Sequence, residues 1–229
     1  MSPPCSLLLA GAAAPGAVRA ADSQELWPEL DVFKRLSPEV RLFFLAGYTT
    51  ALDTDAQSLE LDGYVDITLR PLLRSSFPEG EDWRTNKYLW ARVGYAHIEG
   101  ESSGQRKPEE NRGVLALYLR AFLPAQVVLE GRGRFDLRWI GGDYSTRYRL
   151  RGEVNREFAV LGHAVVPYFQ AEAFYDTRYD GWARQLYQPG AEFEIVGPFR
   201  IELYVAWQVD RLPSSSTTQA FGIIGKFYL

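Results

Sequence analysis

The stretch VLEGRGRFDLRWIGGDYSTRYRLRGEVNREF, residues 128–158, places Arg132, Arg134, Arg138, Arg147, Arg149, Arg151 and Arg156 within one short tract. Such density suggests a nucleic-acid-binding segment, but the spacing says otherwise. From Val127 to Trp139, Leu129, Gly131, Gly133, Phe135 and Leu137 share one face, and Glu130, Arg132, Arg134, Asp136 and Arg138 share the other. After IGGDYS the alternation resumes, with Tyr144, Tyr148, Leu150, Gly152 and Val154 opposed to Arg147, Arg149, Arg151 and Glu153. A helix at 3.6 residues per turn would spread these arginines around its circumference, whereas a strand segregates a period of two. The tract is predicted to be two strands joined by a turn, one face uncharged and the other almost wholly charged.

The same period recurs along the chain. It is visible in residues 39–50, 58–70, 87–99, 113–123, 164–176, 184–196, 197–212 and 217–229. With the pair above, this makes ten segments of about a dozen residues, longer than ordinary strands and close to the length of a tilted strand that crosses a bilayer. No run of about 18 apolar residues is present, so no transmembrane helix is expected. Connections such as LPAQ, VLGH and VGPF are tight, while GESSGQRKPEENR, GGDYST, DTRYDGWAR and RLPSSSTT are longer and polar. Membrane barrels show this asymmetry between periplasmic turns and external loops; PLLRSSFPEGEDWRTN, which falls on the short-turn side, is the poor fit.

Charge separates a soluble sandwich from a membrane barrel. The chain has 229 residues, is 46% hydrophobic and 14% aromatic, and carries net charge -4, with pI near 5.4. That balance argues against nucleic acid as a partner. The predicted inward faces carry Arg41, Arg70, Arg92, Arg120, Arg132, Arg134, Arg138, Arg147, Arg149, Arg151, Arg184 and Arg200 against Glu60, Asp62, Asp66, Glu130, Asp136, Glu153, Glu172, Asp176, Glu192, Glu194, Glu202 and Asp210. The two sets are equal in number, and every base is arginine, the cation suited to paired carboxylates partly removed from water. A solvated surface would use lysine freely. The uncharged faces carry Trp139, Tyr144, Tyr148, Tyr175, Tyr187, Trp207 and Phe227, often near strand ends, where aromatic girdles belong. The fold class expected is an all-β, antiparallel up-and-down transmembrane barrel, with the arginines of the opening tract answered across the lumen by Glu60, Asp62, Asp66, Glu172, Glu192, Glu194 and Glu202.

The ends of the chain fit that class. Residues 1–20 read as a signal peptide, with an apolar run from Leu7 to Ala14 and small residues before a cleavage site. Cys5, the single cysteine, lies inside it, so neither disulfides nor thiol chemistry is expected of the mature chain. At the other end, Phe221, Ile223, Gly225, Phe227 and Leu229 form an uncharged stripe that resembles the C-terminal signal read by the barrel-assembly machinery. Ten strands with both ends periplasmic follow from an even count, twelve being the alternative. Residues 21–37 are then a periplasmic segment outside the wall, a short helix with Leu26, Leu30, Phe33 and Leu36 on one side or an extra strand, and 38–229 form the barrel.

LRPLLR, KYLWARVGY, ENRGVLAL, EGRGRFDLRW, TRYRLRGEVNREF, VPYFQAEAFYDTRYDGWAR and GKFYL together resemble the proteobacterial outer-membrane barrels grouped as domain of unknown function twenty-four-ninety. The likeness covers roughly residues 26–229. It implies a bacterial outer-membrane location and supplies no activity. The partners it implies are the lipid bilayer and lipopolysaccharide, with the barrel-assembly machinery and periplasmic chaperones during biogenesis.

Three functions are open to such a barrel: a structural or accessory role with little passage, a narrow channel for small charged solutes, and hydrolysis at the outer rim. Catalysis would rest on His97 with Glu99 on the same face and Asp143, Asp176 or Asp180 from other loops. His163, in a tight turn, reads as an exposed turn residue. Two distant histidines and no mature cysteine offer no metal site, and no cofactor motif is present; the GRG and GG fragments match no nucleotide-binding fingerprint.

Overall fold

In a computed structural model, residues 23–69 and 89–229 are described. The expected signal peptide, Arg70 and the PLLRSSFPEGEDWRTN connection lie outside them. The described strands are β1 (Ser23–Arg35), β2 (Val40–Ala51), β3 (Gln57–Thr68), β4 (Leu89–Ser102), β5 (Gln105–Arg106), β6 (Glu110–Leu123), β7 (Val127–Ile140), β8 (Asp143–Arg156), β9 (Phe158–Val160), β10 (His163–Asp176), β11 (Gly181–Val196), β12 (Phe199–Asp210) and β13 (Ser216–Tyr228). The short β5 folds back on β4, and β9 on the start of β10. The other strands pair with their neighbours in turn, β10 with β11 and finally β13 with β1, so the sheet closes into a barrel.

The wall therefore has eleven strands, which corrects the expected ten and the alternative twelve. The parity argument assumes antiparallel closure. Here β1 and β13 run parallel, from Ser23 opposite Thr218 to Phe33 opposite Tyr228, and a parallel seam closes an odd number. Residues 23–35 are accordingly not a segment beside the wall but part of it, hydrogen-bonded to β13 on one side and β2 on the other. That placement satisfies backbone groups that an open edge would leave unpaired. It also puts Ser23 at the opposite end of the barrel from Leu229, where an even count places both on one side.

Side chains alternate across this wall as the period of two requires. On β6, Leu115, Leu117 and Leu119 face outward, 53%, 49% and 53% exposed, while inside the barrel Arg41 and Asp136 are the largest fully buried side chains. The usual distribution of apolar and charged groups is inverted. Outward aromatics cluster near the end that carries the 141–142 and 177–180 turns, in a chain of contacts from Trp139 with Tyr144 (5.5 Å) to Tyr148 with Tyr175 (6.2 Å) and Tyr175 with Trp182 (5.8 Å). At the opposite end, Phe199 lies 4.7 Å from Phe227.

Two glycine devices shape the wall. The GGDYST connection is not a long loop: β7 and β8 are joined by Gly141 and Gly142 alone, at φ +58° and +99°, a pair of left-handed positions that suits a two-residue hairpin. Inside, Tyr64, Tyr168 and Tyr204 lie across Gly94, Gly190 and Gly222, their cross-strand partners. Each glycine leaves room for a flat ring against the wall.

Candidate functional site

The charged faces of β6, β7, β8 and β10 form a lattice in which Glu110, Glu130, Asp136, Glu172 and Asp176 each join two guanidinium groups. Asp136, with no exposed surface, accepts from Arg134 Nε at 2.5 Å and from Arg147 Nη2 at 2.8 Å. Glu172 accepts from Arg132 at 2.5 Å and from Arg149 Nε at 2.8 Å. Glu130 joins Arg120 (2.6 Å) and Arg151 (2.9 Å). Arg138 lies 2.5 Å from both Glu110 and Asp176. The register explains the pattern. Arg132 stands directly opposite Arg151, and Arg134 opposite Arg149, arrangements that repel unless an acid intervenes. Glu172, opposite Arg151 on β10, bonds Arg132 and Arg149, and Asp136, opposite Arg147, bonds Arg134 and Arg147.

Of the seven acids expected to answer the tract's arginines, only Glu172 does so. Asp66 pairs with Arg41 and with Arg92 (2.6 Å), and Glu60 with Arg112 (3.0 Å). Glu192 accepts from Arg200 (3.1 Å) and Lys226 (2.9 Å), and Glu202 from Lys226 and from the Tyr168 hydroxyl. Glu194 accepts from the Ala164 amide at 3.3 Å, Glu153 from Asn155 at 2.9 Å, and Asp210 pairs with Arg184 at 2.6 Å. Asp62 receives only the Tyr64 hydroxyl. The arginines are answered from their own strand or from one or two strands away, because long side chains on a pleated wall reach near neighbours before they reach the far side.

Five lumen groups escaped the reading of the sequence. Glu29 and Asp31 sit on β1, which was placed outside the wall. Glu110 and Arg112 belong to a β6 that begins at Glu110 rather than Gly113. Lys226, an inward base that is not arginine, follows from the alternation of the C-terminal stripe itself. That stripe faces outward on β13, with Phe221, Ile223, Phe227 and Leu229 all substantially exposed.

The lattice leaves a cavity of about 800 Å³ whose lining extends from Thr49 and Ser58 at one end to Gln126 and Glu157 at the other. Outside the wall, His97 Nδ1 lies 2.8 Å from Asn111 Oδ1, and its Nε2 lies 3.1 Å from Glu99. Both His97 and Glu99 are on the outward face of β4. Asp176 is on the inward face of β10, engaged by Arg138 and Arg178, and Asp180 accepts from Tyr175 at 2.5 Å; the wall separates His97 from Asp176. In the 177–180 turn, burial alone would lower the ionisation of Arg178, and the hydrogen bond and charge of Asp176 outweigh it and raise it.

A family model described as "Protein of unknown function (DUF2490)" matches residues 25–219. No curated protein matches the chain. Among solved structures, the chain is similar to the crystal structure of the beta domain of the Bordetella autotransporter Brka, with TM-score 0.51 and 14% sequence identity over 81% of this chain and 82% of that one. At that identity the likeness bears on the fold.

Proposed function

The chain belongs to the DUF2490 family of proteins of unknown function, and from that premise we propose an outer-membrane β-barrel of restricted passage, whose ion-paired lumen admits only small solutes. The observation that carries the reading is the inversion of the wall. A row of half-exposed leucines on β6 surrounds an interior in which Asp136 and Arg41 are buried, an arrangement that gives lipid an apolar surface and the lumen a polar one. Ionised groups withdrawn from water cost several kcal/mol each unless paired and hydrogen-bonded, so the ion-pair lattice makes such an interior tenable. It also narrows the lumen. A barrel of about eight strands is filled by its own side chains; this one, with eleven, keeps an internal cavity whose lining includes residues near both ends.

The orientation follows from the turns: the C-terminal end, with the tight 197–198 turn, is periplasmic, and the 103–109, 177–180 and 211–215 connections are external. The C-terminal stripe then serves recognition by the assembly machinery, and the aromatic clusters sit at the two interfaces. No observation favours hydrolysis, since His97 faces outward and Asp176 inward. The test is direct. Purified protein in detergent is expected to migrate faster unheated than boiled, and to give small, steady current steps in planar bilayers. Good solubility without detergent, with migration indifferent to heating, overturns the membrane reading; a folded, inserted barrel that passes no current overturns the passage.

A further inference from the structure

We propose that Glu29, Asp31 and Asp62 form a lumen site for a small ammonium-bearing solute, a reading that rests on solutes entering the barrel. The register assembles the site. Glu29 and Asp31 point inward from β1, Glu60 and Asp62 from β3, and the intervening β2 places Gly47 between Glu29 and Glu60 and Leu45 between Asp31 and Asp62. A Cβ on Gly47 would lie 3.7 Å from Glu29 Oε2 and 4.0 Å from Glu60 Cβ; glycine leaves that gap open to the cavity, which all of these residues line.

What distinguishes this wall is the want of bases. On the arginine side Glu110, Glu130, Asp136, Glu172 and Asp176 each have two guanidinium groups within 3.1 Å. Here Glu60 has Arg112, and Glu202, two strands beyond Glu29, has Lys226. Asp31 is 6% exposed, its neighbour for hydrogen bonding is the carboxyl group of Glu29, and its buried Oδ1 has no partner. Asp62 is 7% exposed, and its Oδ1 likewise has none. A buried carboxylate left without a donor is costly, and a proton or a cation must supply what the protein omits. Among the described residues no three metal-competent side chains converge as a metal would require. The neighbours suit an organic cation instead. Trp27 lies two residues from Glu29 on the same inward face, with its ring 6.4 Å from that of Tyr204. Arg41 and Arg92 already cover Phe33 and Phe43, at 4.4 and 4.2 Å, whereas no described guanidinium covers Trp27 or Tyr204. Carboxylates beside free aromatic faces are the chemistry that recognises ammonium groups.

The probe is 1,4-diaminobutane, titrated by calorimetry into the detergent-solubilised full chain. Saturable binding is expected, weakened about tenfold or more by Asp31→Asn and by Asp62→Asn, each of which removes one charged acceptor. Glu194→Gln, at the barrel's end, is expected to bind as the parent does. Both amides are close in shape to the acid and remove an unpaired charge, and heat-modifiable migration verifies their folding. Absence of saturable binding, or affinity unchanged in both variants, overturns the site; saturation by magnesium in place of the diamine, abolished by the same substitutions, overturns the ammonium assignment. Binding does not require conduction. A barrel that binds without passing current retires the passage and leaves the site, and one that conducts without binding does the reverse.

Discussion

Gly190→Ala tests whether the inward glycines exist to seat tyrosine rings. A Cβ at this position falls 2.6 Å from the Tyr168 hydroxyl oxygen, 2.7 Å from Tyr168 Cζ and 2.8 Å from the backbone oxygen of Leu203. Carbon atoms rest near ~3.5 Å apart, so the ring must retreat by roughly 0.8 Å, while the Leu203 oxygen, part of the β12 ladder, has little freedom to give way. The ring is also held by its bonds: its hydroxyl donates to Glu202 and accepts from Gln188 Nε2 at 2.7 Å. Overpacking of this kind costs about 1–3 kcal/mol. The backbone adds no strain of its own to alanine, since Gly190 is not among the positive-φ residues, so the loss comes from these contacts. Gly133→Ala is the control: it faces outward with nothing within 4 Å of a Cβ, and alanine there is expected to be neutral or to stabilise by about 0.5–1 kcal/mol. Urea midpoints in detergent, followed by unheated gel migration, measure both. Tyr168→Ala in the Gly190→Ala background should restore only part of the loss, because the clash with Leu203 persists. A Gly190→Ala barrel as stable as the parent, or as Gly133→Ala, refutes the reasoning.

Three further experiments probe the wall and its lattice. Asp136→Asn strips the shared partner from Arg134 and Arg147 and is expected to cost about 3–5 kcal/mol, with part recovered on adding Arg147→Met; a shift below about 1 kcal/mol in the unfolding midpoint would show that the lattice is not stabilising. Leu117→Arg, on the outward face of β6, is expected to cost about 2–4 kcal/mol in a bilayer, against the ~0.5 kcal/mol of a solvated surface change, which urea unfolding in lipid vesicles distinguishes. Arg134→Glu with Arg149→Glu reverses the charge of the arginine wall and is expected to move the reversal potential under a salt gradient toward cation selectivity; an unmoved potential places the conducting path elsewhere.

The charged and apolar faces of β7 and β8 were legible because a period of two survives any choice of neighbours. Pairing was not legible, because it depends on register: whether Arg149 meets Glu172 or Glu202 is decided by which strand lies beside β8, a relation that alternation along one strand does not encode. The first strand was obscured by competing signals. Trp27, Glu29, Asp31 and Phe33 alternate with Leu26, Pro28, Leu30 and Val32, yet Leu26, Leu30, Phe33 and Leu36 also suit a helix, and Pro28 removes a ladder donor. The even-number rule then excluded the strand. Losing it hid Glu29 and Asp31, so the part of the lumen with unanswered charge was the part the sequence reading left out.

The seam between β1 and β13 bears on how the barrel comes into being. Ser23 and Thr218, 195 residues apart in the chain, share a side-chain hydrogen bond there, and every other neighbouring pair in the wall joins strands consecutive or nearly so. Hairpins can form as soon as each is made, but the seam must wait for the whole chain and bears the largest loop-closure entropy. Its parallel ladder is also slightly weaker per residue than an antiparallel one. The last bond line to form is thus the one with least holding it, and it is the natural place for the closed wall to open.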